Sequence, residues 1–391
     1  MSFHGIAVAE VASTTRTIAT IATGVIGLVA TAPAAVDGAF PLNTPVKITA
    51  IKDAIALAGA TGTLKGALQA IADQVRTTVV VVRVAPGADA AATDTAVIGA
   101  DVNGVKTGMQ ALLAAEAQLG ARPRIIGAPG LDTKPVAIAL AAIAKRLRAM
   151  AYIGCVGVNA NDRAAAIAYR ANFTQRELML IYPDFTAPLG ANGADVPSFA
   201  VARALGLRAA IDQTQGFHKT ISNVPVAGVD GLTKDVQFDI QDPDCDAAIL
   251  NAAQITTMVR LDGELRFWGN RTCAAPNSDF TFESATRTAQ ILGDSIVAGL
   301  TWAADKPLTP SLAKDIVEEI NEKFRALARA GVILGAVAEF RADKNPVAAL
   351  KAGQLVISYR YTPVPPLDFL SLEQEISDEF LADFATLVAI G

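Results

Sequence analysis

The sequence predicts a parallel-sheet α/β domain followed by an α+β C-terminal domain, with an extended arm at each end. Three observations carry the prediction. Short β-branched runs alternate with helical stretches from about residue 25 to 212, the pattern of βαβ units covered on both faces. Beyond residue 215 the alternation stops, and a hairpin, two long helices and two strands follow. The first twenty residues lack the 3.6-residue stripe of a helix and read as extended, and the chain ends in an apolar tail, Leu387–Ile390. The boundaries are 1–22 for the N-terminal arm, 23–250 for the α/β domain, 251–382 for the α+β domain and 383–391 for the C-terminal arm.

Within the first domain, residues 25–30 form the first core strand. A loop containing Phe40-Pro41-Leu42-Asn43 leads to short helices at 52–58 and 63–73. The run TVVVVRV at 78–84 is a strand buried on both faces. Helices at 109–119, 133–150, 162–172 and 198–212 then alternate with strands at 124–128, 152–158 and 178–182. Pro135 in the first turn and a cap from Asp132 or Thr133 start the second of these helices.

In the second domain, residues 255–260 and 265–268 flank Asp262-Gly263 as a hairpin. Helices span 284–305, stopped by Pro307, and 310–330, stopped by Gly331. Residues 332–340 and 354–361 are strands. The stretch Thr362-Pro363-Val364-Pro365-Pro366 is a stiff extended linker, and residues 372–384 form a last helix before an apolar tail.

Composition bounds the function. The chain has 391 residues, enough for two or three domains. Hydrophobic residues make up 52% and charged residues only 18%, a deficit that suits a surface buried against other copies and equally an ordinary alanine-rich cytoplasmic enzyme. A net charge of −5 leaves no footprint for general nucleic-acid binding. Cys155, Cys245 and Cys273 are far apart, which excludes a disulfide framework or zinc knuckle. Residues 17–36 carry no charge, yet four threonines, Gly24, Gly27 and Pro33 interrupt them, so a buried strand is expected there rather than membrane insertion.

No motif for chemistry stands out. His4 and His218 are the only histidines, and Asp212 is the nearest candidate partner for His218. GATGTLKG at 59–66 imitates a phosphate loop, but it follows a helix and Lys65 is out of place. Asp132 lies just past a strand end, where open α/β sheets place ligands, and is otherwise a helix cap. No cofactor and no metal are expected. Asp368, Glu373, Glu375, Asp378, Glu379 and Asp383 form an acidic run without a basic residue before the C-terminus. An acidic segment ending in an apolar tail suits docking on a basic partner patch better than solvation.

Several stretches together resemble the tail sheath proteins of contractile-tailed phages, particularly the P2-like group and related phage-derived bacteriocins. They include His4-Gly5 with Val8 and Arg16, Phe40-Pro41-Leu42-Asn43, Ala70-Ile71-Ala72-Asp73-Gln74 and Pro129-Gly130-Leu131-Asp132-Thr133-Lys134. Asn172-Phe173-Thr174-Gln175-Arg176-Glu177-Leu178, Ala202-Arg203-Ala204-Leu205-Gly206-Leu207-Arg208 and Arg266-Phe267-Trp268-Gly269-Asn270-Arg271-Thr272-Cys273 extend the likeness, and residues 362–366 close it. The resemblance implies a virion-tail subunit, assembled in the bacterial cytoplasm, that stacks as six-fold rings around an inner tube. Contraction then drives the tube through an envelope without nucleotide hydrolysis. It implies partners in the chain itself, the tube protein, the baseplate and the tail terminator.

It also implies that the arms add strands to neighbours. Ile6, Val8, Val11, Ile18 and Ile21 would serve at one end and Leu387, Val388 and Ile390 at the other. The helix at 310–330 would face the tube through Lys314, Glu318, Glu319, Glu322, Lys323 and Arg325. Two other classes stay open on the residues alone: a nucleotide-using enzyme on the α/β domain, and another phage structural protein such as a tube or capsid subunit.

Overall fold

The computed structural model describes residues 17–155, 162–189 and 193–378, with Leu381 and Val388. In chain order the first unit contains β1 (Ile26–Thr31), β2 (Pro45–Ile48), α1 (Ile51–Leu57), α2 (Leu64–Gln74), β3 (Val79–Val84), α3 (Ala90–Ile98), β4 (Asp101–Val102) and β5 (Val105–Lys106). A 3-10 turn, Gly108–Ala114, leads to α4 (Ala115–Leu119), β6 (Ile125–Gly127), α5 (Lys134–Leu147), β7 (Met150–Gly154), α6 (Arg163–Arg170) and β8 (Leu178–Ile181). Then come β9 (Phe185–Ala187), β10 (Val196–Ser198), α7 (Ala200–Thr214), β11 (Gly231–Leu232), α8 (Asp246–Ala252), β12 (Ile255–Leu261) and β13 (Glu264–Trp268). The second unit contains α9 (Glu283–Gly299), α10 (Pro310–Arg329), β14 (Ile333–Phe340), α11 (Val347–Lys351) and β15 (Ile357–Pro363).

The core is an eight-stranded sheet in the order β13-β12-β8-β7-β6-β1-β3-β2. Its inner pairs are parallel, and β2 and β13 run antiparallel at the two edges. Alternation along β1 and β3 fills both faces. Ile26, Leu28, Val79 and Val81 join the cluster containing α2 and α7, whereas Val29, Val80 and Val82 join the one containing α5. The α/β class read from the sequence is therefore present, with α9 to β15 forming the α+β part.

Several details differ from expectation. The hairpin β12–β13 was expected in the second domain, but Ile255 pairs with Leu180 of β8 and extends the first sheet. Residues 109–119 are a 3-10 turn followed by a short helix. Helix α5 stops at Leu147 because Arg148 turns left-handed, φ 51°, and Met150 begins β7. The helix expected at 372–384 is absent over 372–377, which carry no regular secondary structure and are exposed, and most of the remainder lies outside the described residues. An amphipathic helix draws most of its stability from a surface that covers its apolar face, and Leu372 and Ile376 stay exposed among the described residues.

Candidate functional site

The places where chemistry was conceivable are occupied by structure. The phosphate-loop mimic is a turn packed on the end of β1. Gly62 has φ +88°, and a Cβ there would stand 2.3 Å from the Thr31 carbonyl oxygen. The Thr63 N–H donates to that same oxygen at 2.9 Å, and Lys65 is exposed. His218 does not meet Asp212: that carboxylate is taken by Arg208 and Arg287, while the His218 ring packs edge-on against Phe217. Burial, with Arg208 nearby, pushes the His218 pKa down. Burial likewise pushes the Cys155 thiol up and the Cys273 thiol to about 11, away from nucleophilic thiolate chemistry. No group of metal-ligating side chains gathers among the described residues, and no described helix is long and apolar enough to cross a membrane.

Asp132 is the exception in character. It is fully buried and does not cap α5, whose N-cap Thr133 makes no side-chain cap bond. One of its carboxylate oxygens accepts the Gly154 N–H at the end of β7, and the other has no partner among the described residues. Burial raises its pKa to about 7.

The two units are joined by buried charges that sequence reasoning missed. Arg208 on α7 pairs with Asp212 at 2.8 Å and with Glu283 on α9 at 3.2 Å. Asp212 also binds Arg287, and Glu283 accepts from the Tyr152 hydroxyl and, at 3.3 Å, from the Ile221 N–H. Burial opposes the Arg208 charge, but Asp212 and Glu283 more than offset it, so its pKa is held above the ordinary value. Further along α9, one turn beyond Arg287, Gln290 donates to the Ala149 carbonyl at 3.1 Å, and a turn beyond that Asp294 pairs with Arg124 and Arg148. The only hint in the sequence was that arginines recur on α7 and α9 amid alanine and leucine.

Exposed large apolar side chains occur in both units and are densest at the C-terminal end of the second. Helix α10 lies on the two-stranded sheet β14–β15, burying Ile316, Ile320, Phe324 and Leu327. Asn321 fastens the pair, donating to the Ala338 carbonyl at 2.9 Å and accepting its N–H at 2.8 Å. Among the described residues β14 and β15 pair only with each other, so each keeps an open outer edge. Beyond β15, Leu367, Phe369, Leu370, Leu372 and Ile376 are all exposed.

The expected site residues separate. Ile18 is buried against Leu292, Ile296 and Ile316 of its own chain, and the Ile21 N–H donates to the Ser295 hydroxyl at 3.3 Å. The arm expected to run to residue 22 is thus fastened from residue 18 onward. Val388 is exposed, whereas Ile6, Val8, Val11, Leu387 and Ile390 lie outside the described residues. On α10, Glu318 pairs with Arg325 at 2.6 Å, Glu319 accepts from the Trp302 indole at 2.9 Å and Lys323 donates to the Thr20 hydroxyl at 2.8 Å. Lys314 is exposed and Glu322 half-buried.

Among the described residues the chain thus presents open strand edges and an exposed apolar segment rather than an assembled catalytic group. Comparison with known proteins makes this specific. Residues 104–273 match the phage tail sheath protein central domain, and residues 275–377 match the phage tail sheath C-terminal domain. Residues 23–84 match the N-terminal region of domain III of the tail sheath protein Gp18. The chain is 48% identical to the tail sheath protein of Escherichia phage P2, over 98% of each chain. It is 45% identical to the major tail sheath protein of Serratia phage KSP20, also over 98% of each. The chain belongs to the phage tail sheath protein family. Its fold is also that of the sheath of the extracellular contractile injection system PVC in the contracted state, with TM-score 0.72, 14% identity and coverage of 97% and 99%. The contracted helical sheath of the anti-feeding prophage aligns with TM-score 0.71 at 18% identity, covering 96% of this chain and 100% of that one.

Proposed function

We propose that this chain is the repeating subunit of a contractile tail sheath, without catalytic activity of its own. Copies stack as six-fold rings around an inner tube and shorten to drive that tube through a host envelope. The terminal segments, up to residue 17 and from about 383, add strands to the open β14–β15 edges of neighbours, so the lattice stays linked while subunits rotate. Helix α10 faces the tube, and the baseplate and tail terminator contact the two ends of the polymer. Assembly takes place in the host cytoplasm.

The observation that carries the reading is that, among the described residues, β14 and β15 pair only with each other, with α10 closing one face of the hairpin. An isolated two-stranded sheet is marginal in water. Adding a strand on each side satisfies its edges and gives the polymer a hinge of backbone hydrogen bonds. Electron microscopy of the purified chain tests this: wild-type protein is expected to form striated tubes. Removing residues 1–15, or the last eight, should leave a folded monomer that forms none, and long ordered tubes from either truncation would refute the strand exchange.

A further inference from the structure

We infer that the apolar groove beside the N-terminal end of α10 receives residues 367–376 of a second copy of this chain. The inference rests on the self-assembly reading and names a contact distinct from strand addition.

The groove has a volume of about 670 Å3 and is walled by Leu308, Pro310, Val317, Phe340, Leu350 and Leu355. Its origin is local. After Phe340 the chain leaves the sheet through Ala342–Lys344 and α11 before returning at Ile357, and Leu350 and Leu355 of this excursion line the groove together with α10. Phe340 is left 45% exposed at the end of its strand.

The proposed occupant has the opposite problem. Leu367, Phe369, Leu370, Leu372 and Ile376 are between 64% and 92% exposed, five large apolar side chains within ten residues. Such a patch on a soluble chain marks an interaction site. Groove and segment are both uncovered among the described residues, and the fold holds their starting points apart. Pro363 at the end of β15 pairs with Ile333, whereas Phe340 at the groove pairs with Ile357. The tail therefore leaves from the far end of the hairpin, a strand length of roughly 20 Å from the groove. Asp368 then binds Asn270 at 2.8 Å and Arg271, which holds the start of the tail against the first unit.

Charge agrees with the assignment. Lys314 lines the groove, and Lys351 follows Leu350 on α11. The lining carboxylate Glu318 is paired with Arg325. The segment carries Glu373 and Glu375, with Asp378 just beyond, and no basic residue. Complementary rims of this kind set register while the apolar contact supplies affinity.

Two single-cysteine variants, Ala313→Cys in the groove and Leu372→Cys in the tail, test the inference. The native Cys245 and Cys273 are buried and Cys155 is half-buried, and the cysteine-free parent of each variant controls for them. Mixed, assembled and oxidised, the two variants should give a covalent dimer that neither gives alone. Val317→Asp with Leu350→Asp should lower the assembled fraction at least tenfold while leaving the monomer's circular dichroism unchanged. Tubes that form without the dimer overturn the groove assignment and leave the sheath reading standing. A link within one chain, seen with both cysteines in dilute monomer, also overturns it. So does a dimer obtained with Ser2→Cys in place of Leu372→Cys. Failure of wild-type protein to polymerise at all overturns the sheath reading and the groove assignment with it.

Discussion

Ile18 seats directly over Gly299 at the C-terminal end of α9. A Cβ at Gly299 would stand 2.6 Å from Ile18 Cγ1 and 3.0 Å from its Cβ. The missing side chain is thus what lets the N-terminal segment lie flat on the second unit. In an uncrowded helix, Gly→Ala gains about 0.5–1 kcal/mol. Here the sign should reverse, because overpacking costs about 1–3 kcal/mol. Urea denaturation of Gly299→Ala is expected to show a loss in the wild-type background. The loss should vanish or become a gain when Ile18→Ala removes the branched atoms. A stabilised single variant would show that the contact relaxes freely.

The buried charges between α7 and α9 predict a second asymmetry. Glu283 is fully buried and receives Arg208, Tyr152 and the Ile221 N–H together. Glu283→Ala would leave Arg208 with a single carboxylate partner, Asp212. Breaking one side of a buried pair costs about 3–5 kcal/mol, and the denaturation midpoint should fall accordingly. Glu283→Gln keeps hydrogen-bonding capacity and should lie between. A loss below about 1 kcal/mol for Glu283→Ala would mean that the two units do not depend on this junction.

Asp132 predicts the pH dependence. Its pKa rises from 3.8 to about 7 because burial disfavours the charged form. Between those values the native state holds a proton that the unfolded chain has released, so unfolding free energy falls as pH rises. The contribution is complete below pH 4 and is lost as pH passes 7. At about 1.4 kcal/mol per unit the full span is about 4 kcal/mol. Thermal melts of Asp132→Asn and wild type should therefore diverge with pH, the variant gaining relative stability from pH 4.5 to pH 8. Parallel curves would mean that the carboxyl titrates normally.

Local patterns made most of the fold legible, and non-local pairing hid the rest. The run Val79–Val84 declared itself as a strand buried on both faces because every residue in it is apolar apart from Arg83, whose guanidinium donates to the Ala32 carbonyl at 3.2 Å. The turn at Asp262-Gly263 was readable, but not the partner of β12, because β8 lies more than 70 residues earlier. Arg208 and Glu283 are 75 residues apart, and each looks like a surface residue of its own helix. The failed helix at 372–377 is the converse case. Its apolar residues Leu372 and Ile376 stay exposed among the described residues, and a helix with no covered face is not held by its local pattern.

The charged face of α10 yields a prediction that separates a tube contact from a structural role. Lys323 and Glu319 are already committed, to Thr20 and Trp302, so substitutions there would disturb the fold of the unit itself. Glu318 and Arg325 are more than half exposed and bind each other seven residues apart. Exchanging them, Glu318→Arg with Arg325→Glu, keeps that pair and reverses the charge presented at each position. An exposed pair contributes about 0–1 kcal/mol, so monomer stability should change little. Glu318 also walls the groove beside α10, so self-assembly without tube protein is the control: if α10 faces the tube, the exchange should weaken co-assembly with tube protein beyond any loss of self-assembly, and added salt should weaken the wild-type contact too. Normal co-assembly by the exchanged variant, measured by co-sedimentation, would assign tube contact to another surface of the second unit.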